Sequence, residues 1–109
     1  MRAANPTRKQ RAQLLRKEAG RWLRELRVRG GLSQRELAHK VGAEFYTLIS
    51  QLEHGRGLIP PDRYLVWAKA LEIEPREFVR RLTYYYDPET YKIVFQDHAR
   101  PKRLKPPFE

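Results

Sequence analysis

An all-α domain of five short helices, finished by a short C-terminal β element, is the fold class this sequence predicts. Three observations carry it. Apolar residues recur at spacings of three and four through residues 15–82, the period of one helix face. Gly30-Gly31, Gly42, Gly55, Gly57 and Pro60-Pro61 cut that pattern into short pieces. Near the C-terminus, Asp87-Pro88-Glu89-Thr90 reads as a turn between Thr83–Tyr86 and the β-branched, aromatic run Tyr91-Lys92-Ile93-Val94-Phe95.

The first helix starts near Asn5-Pro6-Thr7, with Asn5 or Thr7 as its cap. Leu15, Ala19, Trp22, Leu23 and Leu26 form its inner face, and Gly30-Gly31 ends it after about Arg29. Ser33 caps the second helix, and Glu36 three residues on completes a capping box. Leu37, Ala38 and Val41 are its buried side, and Gly42 breaks it. The third helix runs from Glu44 or Phe45 to His54, with Phe45, Leu48, Ile49 and Leu52 on one side. Tyr46, Thr47, Ser50 and Gln51 occupy the other. Asp62 caps a fourth helix carrying Tyr64, Leu65, Trp67, Ala68 and Leu71 inward, and Pro75 opens a fifth with Phe78, Val79 and Leu82. Trp22 and Trp67 fall at core positions.

Four stretches follow: residues 1–14, a basic N-terminal arm or helix extension; 15–82, the helical domain; 83–95, a β or dimerisation segment; and 96–109, a basic tail with three prolines, read as flexible. At 109 residues the chain suits one helical core.

The formal net charge is +10. Residues 1–21 hold seven Lys/Arg against one Glu, and residues 96–109 hold four against two acids, so the excess sits on the ends. Such a balance attracts polyanions, and terminal basic segments commonly track phosphates. With no cysteine, disulfides and thiolate zinc sites are excluded. His39, His54 and His98 lack metal-ligand spacing, so neither metal nor cofactor is expected. MRAANPTRKQRAQ has no apolar signal core, and no apolar run approaches membrane-spanning length, which predicts a cytoplasmic, nucleoid-associated chain without membrane binding.

A small-residue turn, Val41-Gly42-Ala43, between two short amphipathic helices sets one across the other and projects it outward. The outward face of the third helix is polar but uncharged, unusual in an Arg-rich chain. Gln bonds adenine bidentately, Thr touches a thymine methyl and Ser bonds adaptably, so Tyr46, Thr47, Ser50 and Gln51 are the candidate base readers in a DNA major groove. Gln34, in the first turn of the second helix, either bonds a phosphate oxygen or braces the next helix. With Arg35 and Arg56 it makes the candidate phosphate-positioning set. Ser50, Glu53 and His54 superficially suggest a hydrolytic triad, but no oxyanion loop or nucleophile turn accompanies them. Glu53 is expected instead to pair with an Arg. Catalysis is not expected. The Tyr84–Tyr86 cluster cannot share one face and reads as packing rather than base stacking.

Leu26-Arg27, Leu32-Ser33-Gln34-Arg35-Glu36-Leu37-Ala38, Ile49-Ser50-Gln51-Leu52-Glu53-His54-Gly55 and Ala70-Leu71-Glu72-Ile73 together resemble the Cro/λ-repressor-type (XRE-like) helix-turn-helix family over about residues 22–80. The resemblance implies a five-helix fold, DNA-binding transcription control, and reading positions at Gln34, Tyr46, Thr47, Ser50 and Gln51. Between Leu37 and Gly55 this chain is one residue longer than the family pattern, so its third helix starts later or is rotated. The Tyr84–Phe95 segment is an addition to that fold.

These features lead to the expectation of a sequence-specific regulator. It would bind double-stranded DNA as a homodimer on a pseudo-palindrome, repressing by default. It would activate if its tail, Pro101–Phe108, contacts RNA polymerase or another regulatory protein. The competing expectation is an antitoxin-like protein-interaction module acting through the C-terminal segment. A charge-driven, non-specific binder is disfavoured by the neutral face of the third helix.

Overall fold

The computed structural model describes residues 5–96. The sequence expectations for residues 1–4, His98 and the 97–109 tail lie outside the described residues. Helix α1 spans Arg8–Arg29, α2 Gln34–Val41, α3 Thr47–Glu53, α4 Tyr64–Ala70, α5 Pro75–Tyr86 and α6 Pro88–Val94; a 3-10 turn at Pro61–Arg63 leads into α4. α1 packs on α3 and α5, α2 on α3 and α4, α4 on α5, and α6 on α5.

Local chemistry explains the starts of α1, α2 and α5. Thr7 caps α1 through a reciprocal box with Gln10. Ser33 and Glu36 form the same device on α2: Glu36 N–H donates to Ser33 Oγ at 3.0 Å, and Ser33 N–H donates to Glu36 Oε1 at 2.9 Å. That backbone donor holds the Glu36 carboxyl below the usual range. Pro75 occupies the first turn of α5, whose cap is Glu74, accepting from the Glu77 N–H. Gly42 ends α2 at φ 70°, a left-handed conformation that a side chain disfavours.

Phe78, Leu23, Leu37, Ile49, Ile59 and Leu82 are the largest fully buried side chains. Trp22 stacks on Phe78 at 5.6 Å between ring centroids, with Tyr85 against it at 5.9 Å, and Tyr64 meets Phe78 edge-on. Both tryptophans are buried.

Three expectations are corrected. Among the described residues there is no strand: Tyr91–Val94 is helical. Asp87-Pro88-Glu89-Thr90 is a helix start, not a hairpin turn. Asp87 accepts from Thr90 N–H at 3.1 Å and from Thr90 Oγ1–H at 2.6 Å, Pro88 takes the first turn, and Glu89 faces the helix dipole. Tyr91 then meets Tyr84 at 5.2 Å and Phe95 at 5.8 Å, contacts that override the β preference of this run. Second, Phe45 is 65% exposed, because the helix begins only at Thr47 and Phe45 lies in the turn before it; Ile49 and Leu52 alone take the buried side. Third, Asp62 sits inside the 3-10 turn and does not cap α4, whose register leaves Leu65 exposed. No helix of the described residues is long and apolar enough to cross a membrane.

Candidate nucleic-acid interface

The position of α3 is set by α1. At Gly20, in the middle of α1, an added Cβ would lie 2.5 Å from both the Leu52 and Glu53 carbonyl oxygens, so only glycine permits this approach. At the end of α3, Gly55 (φ 77°) abuts the backbone of Lys17, where a Cβ would sit 2.8 Å from Lys17 N and Cα. Its left-handed turn lets the Arg56 N–H reach back to the Gln51 carbonyl at 2.8 Å, which ties Arg56 to the helix end.

An ion pair completes the clamp. Arg27 Nε donates to Glu53 Oε2 at 2.6 Å and Nη2 to Oε1 at 3.1 Å, with both side chains nearly excluded from solvent. Arg27 Nη1 donates to the Leu32 carbonyl at 2.8 Å, so the same guanidinium also pins the loop before α2. Gln34 Nε2 donates to Glu53 Oε1 at 3.1 Å. Of the two uses open to Gln34, the fold adopts bracing, although the side chain is only half-buried and keeps an outer edge.

The remaining predicted residues cluster on the outer face. Thr47 and Gln51, one turn apart, are both exposed, and Ser50 beside them is half-buried. Tyr46 is not within α3 but at its N-cap, 42% exposed and making no capping bond. The Arg35 guanidinium lies over its ring, 4.5 Å from the centroid. Arg35 and Tyr46 thus form one unit across the turn. His54 Nδ1 donates to the Ser50 carbonyl at 2.7 Å, and Glu53 is held by Arg27 and Gln34, so Ser50, Glu53 and His54 do not face one another as a triad would.

Beside this face runs a groove of about 530 Å³ lined by Lys17, Arg21, Arg24 and Arg27 of α1 with Gln34, Glu53 and His54. The sequence reading put Lys17 and Arg21 in the basic segment 1–21 expected to track phosphates, but singled out none of Lys17, Arg21 and Arg24. Their spacing of four and three is legible there, but which side of α1 meets α3 depends on Gly20, whose mid-helix position was the available signal.

A short helix projecting a polar face across a glycine turn defines a helix-turn-helix protein. The Helix-turn-helix family profile matches residues 23–78, and the chain belongs to that family, the XRE-type DNA-binding transcriptional regulators. Among solved structures it is similar to the restriction-modification controller protein C.AhdI from Aeromonas hydrophila, at 41% identity and a TM-score of 0.52, over 59% of this chain and 94% of that one. No curated protein matches the chain.

Proposed function

We propose that this regulator reads a specific duplex sequence with α3 in the major groove. Thr47, Ser50 and Gln51 would contact base edges, and Tyr46 would reach the groove margin with its ring backed by Arg35. Gln34, Arg35 and Arg56 would set the register on phosphates. Gln34 has a double duty here, its amide holding Glu53 while its exposed edge meets the backbone. The observation that carries this reading is the neutral, hydrogen-bonding outer face of α3 flanked by cationic side chains, which separates base reading from phosphate positioning.

The site is a pseudo-palindrome, bound by a homodimer whose two α3 helices lie about 34–36 Å apart. Segment 83–95 would supply dimer contacts, a role supported by the exposed Tyr84, Ile93 and Val94 side chains. Light scattering tests it: a dimer unchanged by Ile93→Lys with Val94→Lys removes that segment from the interface. Repression follows from occluding a promoter and needs no further surface. The likeness to a restriction-modification controller supports genes of such a system as the regulated class.

Selection from a random duplex pool at about 150 mM salt, which suppresses non-specific binding, tests the function. An enriched inverted repeat is the expected result. No enrichment overturns sequence reading and leaves the C-terminal segment as a protein-binding module.

A further inference from the structure

We propose that the middle of α1 is a second, rigid DNA-contacting surface, with Lys17, Arg21 and Arg24 gripping the sugar-phosphate backbone outside the base pairs that α3 reads. The inference rests on the duplex-binding function above and extends its footprint.

Three observations carry it. First, the three cations stand at spacings of four and three, one stripe along a helix. All three line the groove that also contains Gln34 and His54, the C-cap of α3 three residues beyond Gln51, so the stripe lies on the side of α1 that faces the end of α3. Second, the backbone that carries the stripe is fixed against α3. Gly20 brings α1 onto the Leu52 and Glu53 carbonyls and Gly55 brings the α3 terminus onto the Lys17 backbone, so the Cα positions that carry the cations keep a fixed offset from α3. Cations held on a packed helix lose less freedom on binding than those of a disordered arm. Third, the groove's one carboxylate, Glu53, is already engaged by Arg27 and Gln34, while Glu18 and Glu25 do not line it. An anion entering the groove therefore meets a net positive wall. Lys17 also borders the neighbouring depression formed with Gln10, Gln13 and Leu14, which continues the surface toward the start of α1. Lys17 and Arg21 precede residue 23, where the family match begins, so most of this surface belongs to the part of α1 outside it.

Duplexes carrying the selected site with flanks of increasing length, titrated with the full chain and with the Lys17→Gln/Arg21→Gln/Arg24→Gln variant over a salt series, test the proposal. All three side chains are exposed, and circular dichroism verifies that the variant folds. For the wild type, affinity should rise once the flank is long enough. The variant should lose that rise, bind the long duplex about tenfold or more weakly, and keep its preference for cognate over scrambled sequence. Its log K against log salt slope should be shallower by roughly 2–3, at about 0.9 for each phosphate no longer neutralised. Neutral methylphosphonate linkages in the flank should weaken the wild type and leave the variant unaffected. An unchanged slope and affinity overturn the proposal. So does a loss that is equal on short and long duplexes and insensitive to the neutral linkages, which would show diffuse charge only. If the wild type binds no duplex at all, the DNA-binding function falls with it; if it binds and only the flank effect is missing, that function stands.

Discussion

Arg27 of α1 and Glu53, the last residue of α3, form a two-point ion pair that is nearly shut off from water, and Gln34 of α2 joins it from the third side. One carboxylate thus ties together α1, α2 and α3. Both ions lose hydration on burial, and their mutual attraction and hydrogen bonds offset that loss only when the geometry is right.

Arg27→Met should therefore cost about 3–5 kcal/mol, since it strands Glu53 without its cation. The double variant Arg27→Met/Glu53→Leu should recover most of that loss, because a well-packed apolar pair replaces two buried ions. Urea unfolding of the single and double variants measures both, and a cost for Arg27→Met below about 1 kcal/mol contradicts the burial of the pair.

Gly20→Ala and Gly30→Ala should diverge although both lie on α1 or at its end. At Gly20 the new Cβ meets two backbone carbonyl oxygens that cannot rotate away, so α3 must shift; a destabilisation of at least about 1–3 kcal/mol and weakened DNA binding are expected. At Gly30 the nearest heavy atoms are 3.5 Å away and the conformation is ordinary right-handed, so alanine should be neutral or stabilising by about 0.4–1 kcal/mol. Thermal melts compare them directly.

Gln51→Ala should cost roughly 1–3 kcal/mol on the selected site and little on scrambled duplex. Arg56→Ala should weaken both alike and reduce the salt slope by about 1. Identical behaviour of the two variants on both duplexes would show that the base-reading and phosphate-positioning roles are wrongly divided.

Burial pushes the Tyr86 hydroxyl up to about 12, only partly offset by the Ile59 N–H it accepts at 3.3 Å. The unfolded phenol ionises near 10 while the folded one resists, so its contribution is fully present below about pH 10 and is lost as pH rises toward 12. That difference amounts to about 2–3 kcal/mol. Tyr64, also raised by burial and then by Asp87, adds to the fall. Tyr86→Phe should flatten this alkaline loss while costing about 1 kcal/mol at neutral pH for the unmade bond to Ile59. Denaturation midpoints between pH 8 and 12 provide the check.

Much of the frame is legible in the chain itself. Ser33 with Glu36, Gly42 and Pro75 act through backbone bonds within a few residues, so their neighbours in sequence are their neighbours in space. The α3 face is legible for a similar reason, since Thr47 and Gln51 are one turn apart whatever surrounds them. The one-residue insertion is visible too, but its consequence for Phe45 is not: whether the turn or the helix absorbs an extra residue depends on which side chains the core accepts, and it accepted Ile49 and Leu52. The C-terminal run shows the opposite failure, because an Asp-Pro cap and ring contacts to Tyr84 outweighed an intrinsic β preference.

Local periodicity, caps and charge in the sequence itself determined the class of protein, its helical frame, the polar outer face of its third helix and the cationic excess. Tertiary structure alone decided that Gln34 spends its amide on Glu53, that Gly20 lets two backbones touch, and that Lys17, Arg21 and Arg24 line one groove with Gln34 and His54. The reason is physical: helix period and capping act over a few residues, whereas these relations join residues far apart in the chain and exist only once the core has chosen the crossing of α1 and α3.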